Sequence, residues 1–150
     1  MCQMLPLLAL FSGHGQISLD KWSRDISALS TLAGLFRMCT LPQSTTSSVA
    51  KFIKAIVRIG YDLIPHLYRP FLDDICIKGP LTKYDHVELL PDIKRFVVEH
   101  VRNIDAVLLN YEPSRATVAG EKSQWCKPTA VILGYVCGTS GRALEVAKIV

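Results

Sequence analysis

Long apolar runs are missing from this sequence. No stretch of about 20 predominantly apolar residues occurs, which excludes a transmembrane helix and leaves no expectation of a membrane partner. The apolar start, MCQMLPLLALF, carries no basic residue and is interrupted by Pro6. Residues 7–11 are too short a run for the core of a secretory signal. Cysteine is sparse and unpatterned: five residues, at 2, 39, 76, 126 and 137, include no CxxC pair. An odd count without that spacing argues against a zinc site and against a secreted disulfide framework. Reduced thiols and an intracellular location are expected. Nine glycines and eight prolines are too few for collagen-like or linker-like sequence.

What is present is apolar side chain. Hydrophobic residues make up 49% of the 150, charged residues 20%, and the mean hydropathy is +0.26. A chain of this length buries roughly 68–70% of its unfolded surface and needs no disulfide staple. The formal charge of +4 is uneven. Residues 1–60 hold six Lys/Arg against two Asp/Glu, residues 61–120 seven against nine, and residues 121–150 four against two. A basic start and end flank an acidic middle, which permits a nucleic-acid partner without requiring one.

Periodicity gives the elements. Residues 5–10 read as a short buried strand. It begins abruptly, as in a chain whose upstream sequence has been cut away. Residues 12–48 are mixed and rich in Ser and Thr, and read as a connection. From Val49, apolar residues at 52, 53, 56 and 63 share a helical stripe, while Lys51, Lys54 and Arg58 fall on another face. Such a basic stripe is ordinarily a solvated surface. Two β-prone runs, 68–72 and 75–78, flank Asp73-Asp74 and predict a tight hairpin. A second helix is expected over 92–111, with Pro91 at or before its first turn and Glu112-Pro113 ending it. A short strand at 116–119, a longer one at 129–137 and a helix starting at 144 complete the pattern. The order predicts an α+β two-layer sandwich of the ferredoxin-like βαββαβ type, both helices on one sheet face and an additional strand following.

The sharpest local feature is Asp73-Asp74 between Phe71-Leu72 and Ile75. Aspartate is a common turn residue. Adjacent carboxylates on a rigid hairpin also suit a hard divalent ion, and two such ions stabilise both oxygens of a phosphoryl transfer.

Six segments, in order across essentially the whole chain, resemble the reverse transcriptases of Gypsy-type LTR retrotransposons. FLDDI at 71–75 is similar to the catalytic aspartate-pair motif. ALFSGHGQI at 9–17 resembles the first-carboxylate motif D-L-x-S-G-Y-x-Q-I, and LPQSTTSSVAKF at 41–52 the segment L-P-x-G-x-x-N-x-x-x-x-F. GEKSQW at 120–125 is similar to the lysine-bearing segment, VILGYV at 131–136 to the primer-grip strand, and GRALEVAKIV at 141–150 to the thumb entry. The resemblance implies a polymerase palm over residues 1–128 and a primer-grip strand with the start of a thumb over 129–150. Fingers, protease, RNase H and integrase regions are not represented. It implies Asp73 and Asp74 as catalytic metal ligands for magnesium, and Lys122 as the proton donor to pyrophosphate. Gln43 would bind the incoming nucleotide, and residues 133–136 would support the primer end. Template-primer nucleic acid and the rest of a retroelement polyprotein are the implied partners.

Four positions depart from that pattern at the reacting centre. Ala9 stands where the first catalytic aspartate belongs, His14 where an aromatic residue supports the nucleotide sugar, Ser44 in place of a glycine and Ser47 in place of an asparagine. Asp20 and Asp25 lie 11 and 16 residues beyond Ala9, too far to serve on the same strand. The expectation is a degenerate, inactive fragment of an RNA-directed DNA polymerase. Two other readings stay open: an active subfragment, supported by the intact aspartate pair, and a non-catalytic nucleic-acid-binding module, supported by Lys51, Lys54 and Arg58.

Overall fold

The computed structural model describes residues 5–43, 45–80, 82–132, 134–138 and 141–145. In chain order these form β1 (Leu5–Ala9), β2 (Leu29–Thr31), β3 (Gly34–Phe36), α1 (Ser48–Ile59), β4 (Tyr68–Phe71) and β5 (Asp74–Ile77). There follow β6 (Glu88–Leu90), β7 (Ile93–Lys94), α2 (Arg95–Tyr111), β8 (Gln124–Lys127), β9 (Thr129–Ile132), β10 (Tyr135–Gly138) and β11 (Gly141–Leu144). The result is an α+β domain whose sheets are antiparallel.

The main sheet has the order β4-β5-β1-β8. β1 is central, with Leu7, Leu8 and Ala9 opposite Cys76, Ile75 and Asp74. Alternation along a strand sends successive side chains to opposite faces. Leu8, Ile75, Ile77 and Tyr68 thus share one face, and Leu7, Ala9, Asp74 and Cys76 share the other. The first face carries the core: Leu8, Leu10, Ile75 and Ile77 pack with Phe52 and Ile56 of α1 and Val107 and Tyr111 of α2. Both helices therefore cover the same face, as their apolar stripes require. Phe52 and Ile56 are each 2% exposed, and burying two such side chains contributes about 3–6 kcal/mol. On the second face β9 approaches β1, and Leu7, Ala9 and Ala130 are buried.

The hydroxyl of Tyr68 donates to the carbonyl of Ile56 at 3.1 Å and shares a hydrogen bond with the Tyr111 hydroxyl, tying β4 to both helices. Burial pushes the Tyr111 hydroxyl up to about 12.

Several expected boundaries are corrected. The first helix ends at Ile59, and residues 61–63 form a separate 3-10 turn. The second begins at Arg95 rather than 92. Asp92 instead adopts φ +61, which turns the chain between β6 and β7, so Pro91 belongs to a hairpin and not to a helix start. Residues 116–119 form only an isolated bridge, Leu10 to Val118. The single strand expected over 129–137 is a hairpin of β9 and β10, because Gly134 at φ +75 reverses the chain. Leu144 ends β11 instead of starting a helix, and residues 146–150 lie outside the described residues. The connection over residues 12–48 contains an unforeseen hairpin, β2 with β3. Among the described residues no helix is long and apolar enough to cross a membrane.

His100 of α2 is fully buried, and both its ring nitrogens lack a hydrogen-bond partner. Burial pushes its pKa below the usual imidazole value of 6.5. The unfolded chain then binds a proton that the native state refuses, so stability present above pH 6.5 falls as the pH drops below it. His100→Leu is expected to flatten that fall, which thermal denaturation measured at pH 7 and pH 5 will show. An unchanged difference between the two pH values would remove His100 as its source.

Candidate active site at the Asp73-Asp74 hairpin

Phe71 and Asp74 are directly paired, so the turn joining β4 and β5 consists of Leu72 and Asp73. Leu72 adopts φ +52. A two-residue hairpin loop matches the strand twist when its first residue has positive φ. For a leucine that conformation costs on the order of 1–3 kcal/mol, a strain that characteristically collects at functional sites. The hairpin forms as expected, one residue earlier: Asp73 sits in the turn and Asp74 opens β5.

Ala9 lies directly opposite Asp74 in the β1–β5 ladder. Paired antiparallel residues have Cα atoms about 4.5–5.5 Å apart and side chains on one face. The Leu10 N–H donates to the Asp73 carbonyl at 3.1 Å, which locks the turn to the end of β1. Partial burial, and then the neighbouring Asp73 charge, push the Asp74 carboxyl above its usual range. The folded state thus disfavours ionised Asp74. Cys76, two residues further on the same face, is raised to about 11 by burial and by Asp74, so its thiol is a poor nucleophile at neutral pH.

The segment bearing Lys122 is tied to the same place. The Ala119 N–H donates to the Ala9 carbonyl at 2.8 Å, and the Ala9 N–H donates to Ser123 Oγ at 3.2 Å. Ser123 Oγ in turn donates to the Ala119 carbonyl at 2.7 Å. Lys122 is exposed beside this knot. Gln43 is exposed in the turn before α1, which a 2.8 Å bond from the Leu41 N–H to the Ile17 carbonyl anchors. Among the described residues no hydrogen bond joins Gln43 or Lys122 to either aspartate. Tyr135 and Val136 lie in β10, whereas Leu133 and Ser44 fall outside the described residues. Ser47 caps α1 without a side-chain hydrogen bond. The His14 ring stacks on Phe52 with centroids 4.3 Å apart.

Gln16 is a positioning residue to which the motif gave no role. Its amide nitrogen donates to the carbonyls of Phe11 and Thr117, and its amide oxygen accepts from the Thr117 N–H at 2.6 Å. It thereby reinforces the direct bond from the Phe11 N–H to the Thr117 carbonyl at 3.0 Å and gives partners to the Phe11 carbonyl and the Thr117 N–H. A single polar residue in a loop offers no hint of a partner 101 positions away.

The donor set does not fit a two-ion centre. Asp73 and Asp74 supply carboxylates, but Ala9 offers a methyl group on the facing strand. Among the described residues no cluster of three or more Asp, Glu, His or Cys is found. A pair of divalent ions needs bridging oxygens from both strands, which one turn alone does not supply.

No protein-family model matches the chain. Over 142 residues it is 24% identical to the Retrovirus-related Pol polyprotein from transposon gypsy of Drosophila melanogaster, spanning 95% of this chain and 12% of that protein. Among solved structures it is similar to the foamy viral protease-reverse transcriptase in complex with double-stranded DNA, with a TM-score of 0.79 at 20% identity. That match covers 98% of this chain and 23% of the other. The same viral protein in complex with an RNA/DNA hybrid gives a TM-score of 0.73 at 20% identity, covering 97% and 18%. The chain is thus related in sequence to a gypsy Pol polyprotein and shares the fold of a reverse transcriptase region, spanning a quarter or less of these relatives.

Proposed function

We propose that the chain is the palm segment of a Gypsy-type retrotransposon reverse transcriptase, with the start of the thumb, in which nucleotidyl transfer has been lost. The single observation that carries this is Ala9 opposite Asp74 in the β1–β5 ladder. The strand order β4-β5-β1-β8, with both helices on one face, supports a ferredoxin-like βαββαβ palm. In an intact palm that register would bring a carboxylate from β1 against the hairpin pair. Here the pair stands alone, its Asp74 already disfavouring ionisation.

The roles follow from position. Asp73 and Asp74 would be the remnant of an ancestral magnesium site, which the methyl group of Ala9 leaves one carboxylate short. Lys122, on the turn knotted to Ala9, would stand near departing phosphate. Gln43 would face the nucleotide and β10 the primer end. The ancestral partner would be a template-primer duplex. Losing one bridging carboxylate removes stabilisation worth at least several kcal/mol, on the order of 10³-fold in rate.

The expected result is no templated primer extension with magnesium or manganese. Extension that disappears on Asp73→Ala would overturn the proposal.

A further inference from the structure

A groove runs along one flank of α1, on the sheet face opposite Ala9 and Asp74. It consists of two adjoining cavities of about 360 and 410 Å³ that share Ile17 as a common wall. The α1 row Ser48, Lys51, Ala55 and Arg58 forms the flank, with Lys51 at the first cavity and Arg58 at the second. A helix rises about 1.5 Å per residue, so these cations stand about 10 Å apart along the axis, about three stacked base steps of ~3.4 Å.

The chemistry of the walls is sorted. The first cavity combines an apolar floor, including Leu41 and Pro42, with the side chains of Ser18, Ser23, Ser27 and Thr45. The second is apolar apart from Gln16, Arg58 and Ser114. Electrostatics favour an anion. Residues 26–61 contain four Lys/Arg and not one Asp or Glu. Among the described residues the one salt bridge joins Arg37 to Asp25, so Lys51, Lys54 and Arg58 carry no ion pair there. An apolar slot between such cations is the arrangement that takes bases inside and phosphates at the rim.

We infer that this groove binds a short stretch of single-stranded nucleic acid, phosphates on Lys51, Lys54 and Arg58 and bases in the cavities, separately from any template-primer bound at the Asp73-Asp74 face. The groove lies on the sheet face opposite Asp73 and Asp74, while Pro42 and Thr45 of its first cavity flank Gln43, so the test separates it from the palm reading at Asp73.

The test is fluorescence anisotropy of a labelled oligothymidylate with the full chain across a salt series. Parent protein should bind with a linear log–log salt dependence. The Lys51→Gln/Arg58→Gln variant should bind weaker, with a slope shallower by about 1.4, from ~0.7 per lost phosphate contact. Both side chains are ionic and border solvent, and a thermal melt verifies that the variant folds. Asp73→Asn should leave the binding unchanged, which distinguishes failure of the groove from failure of the palm reading. Equal affinity and slope in the parent and the double variant would overturn the inference. So would absence of oligonucleotide binding at low salt, or equal Lys51- and Arg58-dependent binding to phosphatidylserine vesicles.

Discussion

Ala9→Asp is expected to strengthen manganese binding at the Asp73-Asp74 hairpin. The new carboxylate would stand across the ladder from Asp74, within about 5 Å at the backbone, and complete an oxygen cluster with Asp73. Hard dications prefer such clusters to paired carboxylates on one turn. Calorimetric titration should show affinity higher by on the order of tenfold or more, about 1.4 kcal/mol for each factor of ten. Without metal the variant should be less stable by roughly 1–3 kcal/mol, since Ala9 is only 7% exposed and a carboxylate buried there would repel the half-buried Asp74.

The pH dependence has a definite sign. Asp74 already has a raised carboxyl pKa, and the carboxylate introduced by Ala9→Asp would raise it further. A group raised in the folded state adds stability below its unfolded value and loses it as the pH rises through the folded value. The metal-free variant should thus be comparatively more stable at acid pH, and manganese should reverse the trend at neutral pH. Primer extension should still be absent. Manganese affinity equal to that of the parent would mean that residue 9 does not face the pair.

The parts of this architecture that were legible in the sequence are those where burial imposes a period. β1, the hairpin around Asp73-Asp74, and the stripes of Phe52 and Ile56 and of Val107 and Tyr111 all face the core. Elements without buried residues left no such trace. β2, β3, β6 and β7 are exposed throughout, so nothing in their apolar spacing marked them. Residues 129–137 misled for the opposite reason: the apolar run continues through the turn, and only Gly134 breaks it. At the site, the resemblance places Ala9 and the aspartate pair in one centre, but the register that sets Ala9 opposite Asp74 has no signature in the sequence. The tethers through Gln16 and Ser123 span more than 100 residues and have no local signature.

Gly60→Ala is expected to be among the most destabilising single-methyl additions in the chain. Gly60 ends α1 at φ −101, an ordinary value, so backbone freedom is not the reason for glycine there. Space is: a Cβ at this position would meet three atoms of the Tyr68 ring at 2.4–2.8 Å. Real contacts of that length do not persist, so the ring must move. Tyr68 is fully buried, and its hydroxyl is held by the Ile56 carbonyl and by Tyr111. Displacing it would leave buried hydroxyls unpaired as well as overpacking the junction of β4, α1 and α2. Overpacking costs about 1–3 kcal/mol and a lost buried hydrogen-bond partner about 1–3 more. A loss of about 3 kcal/mol corresponds to a fall in Tm of roughly 6–12 °C for a domain of this size. Combining Gly60→Ala with Tyr68→Leu should cost less than the sum of the two single changes, because the shortened side chain vacates the space the methyl group needs. Strict additivity in that cycle, or a Tm within about 2 °C of the parent for Gly60→Ala alone, would mean that the Tyr68 ring does not close over residue 60.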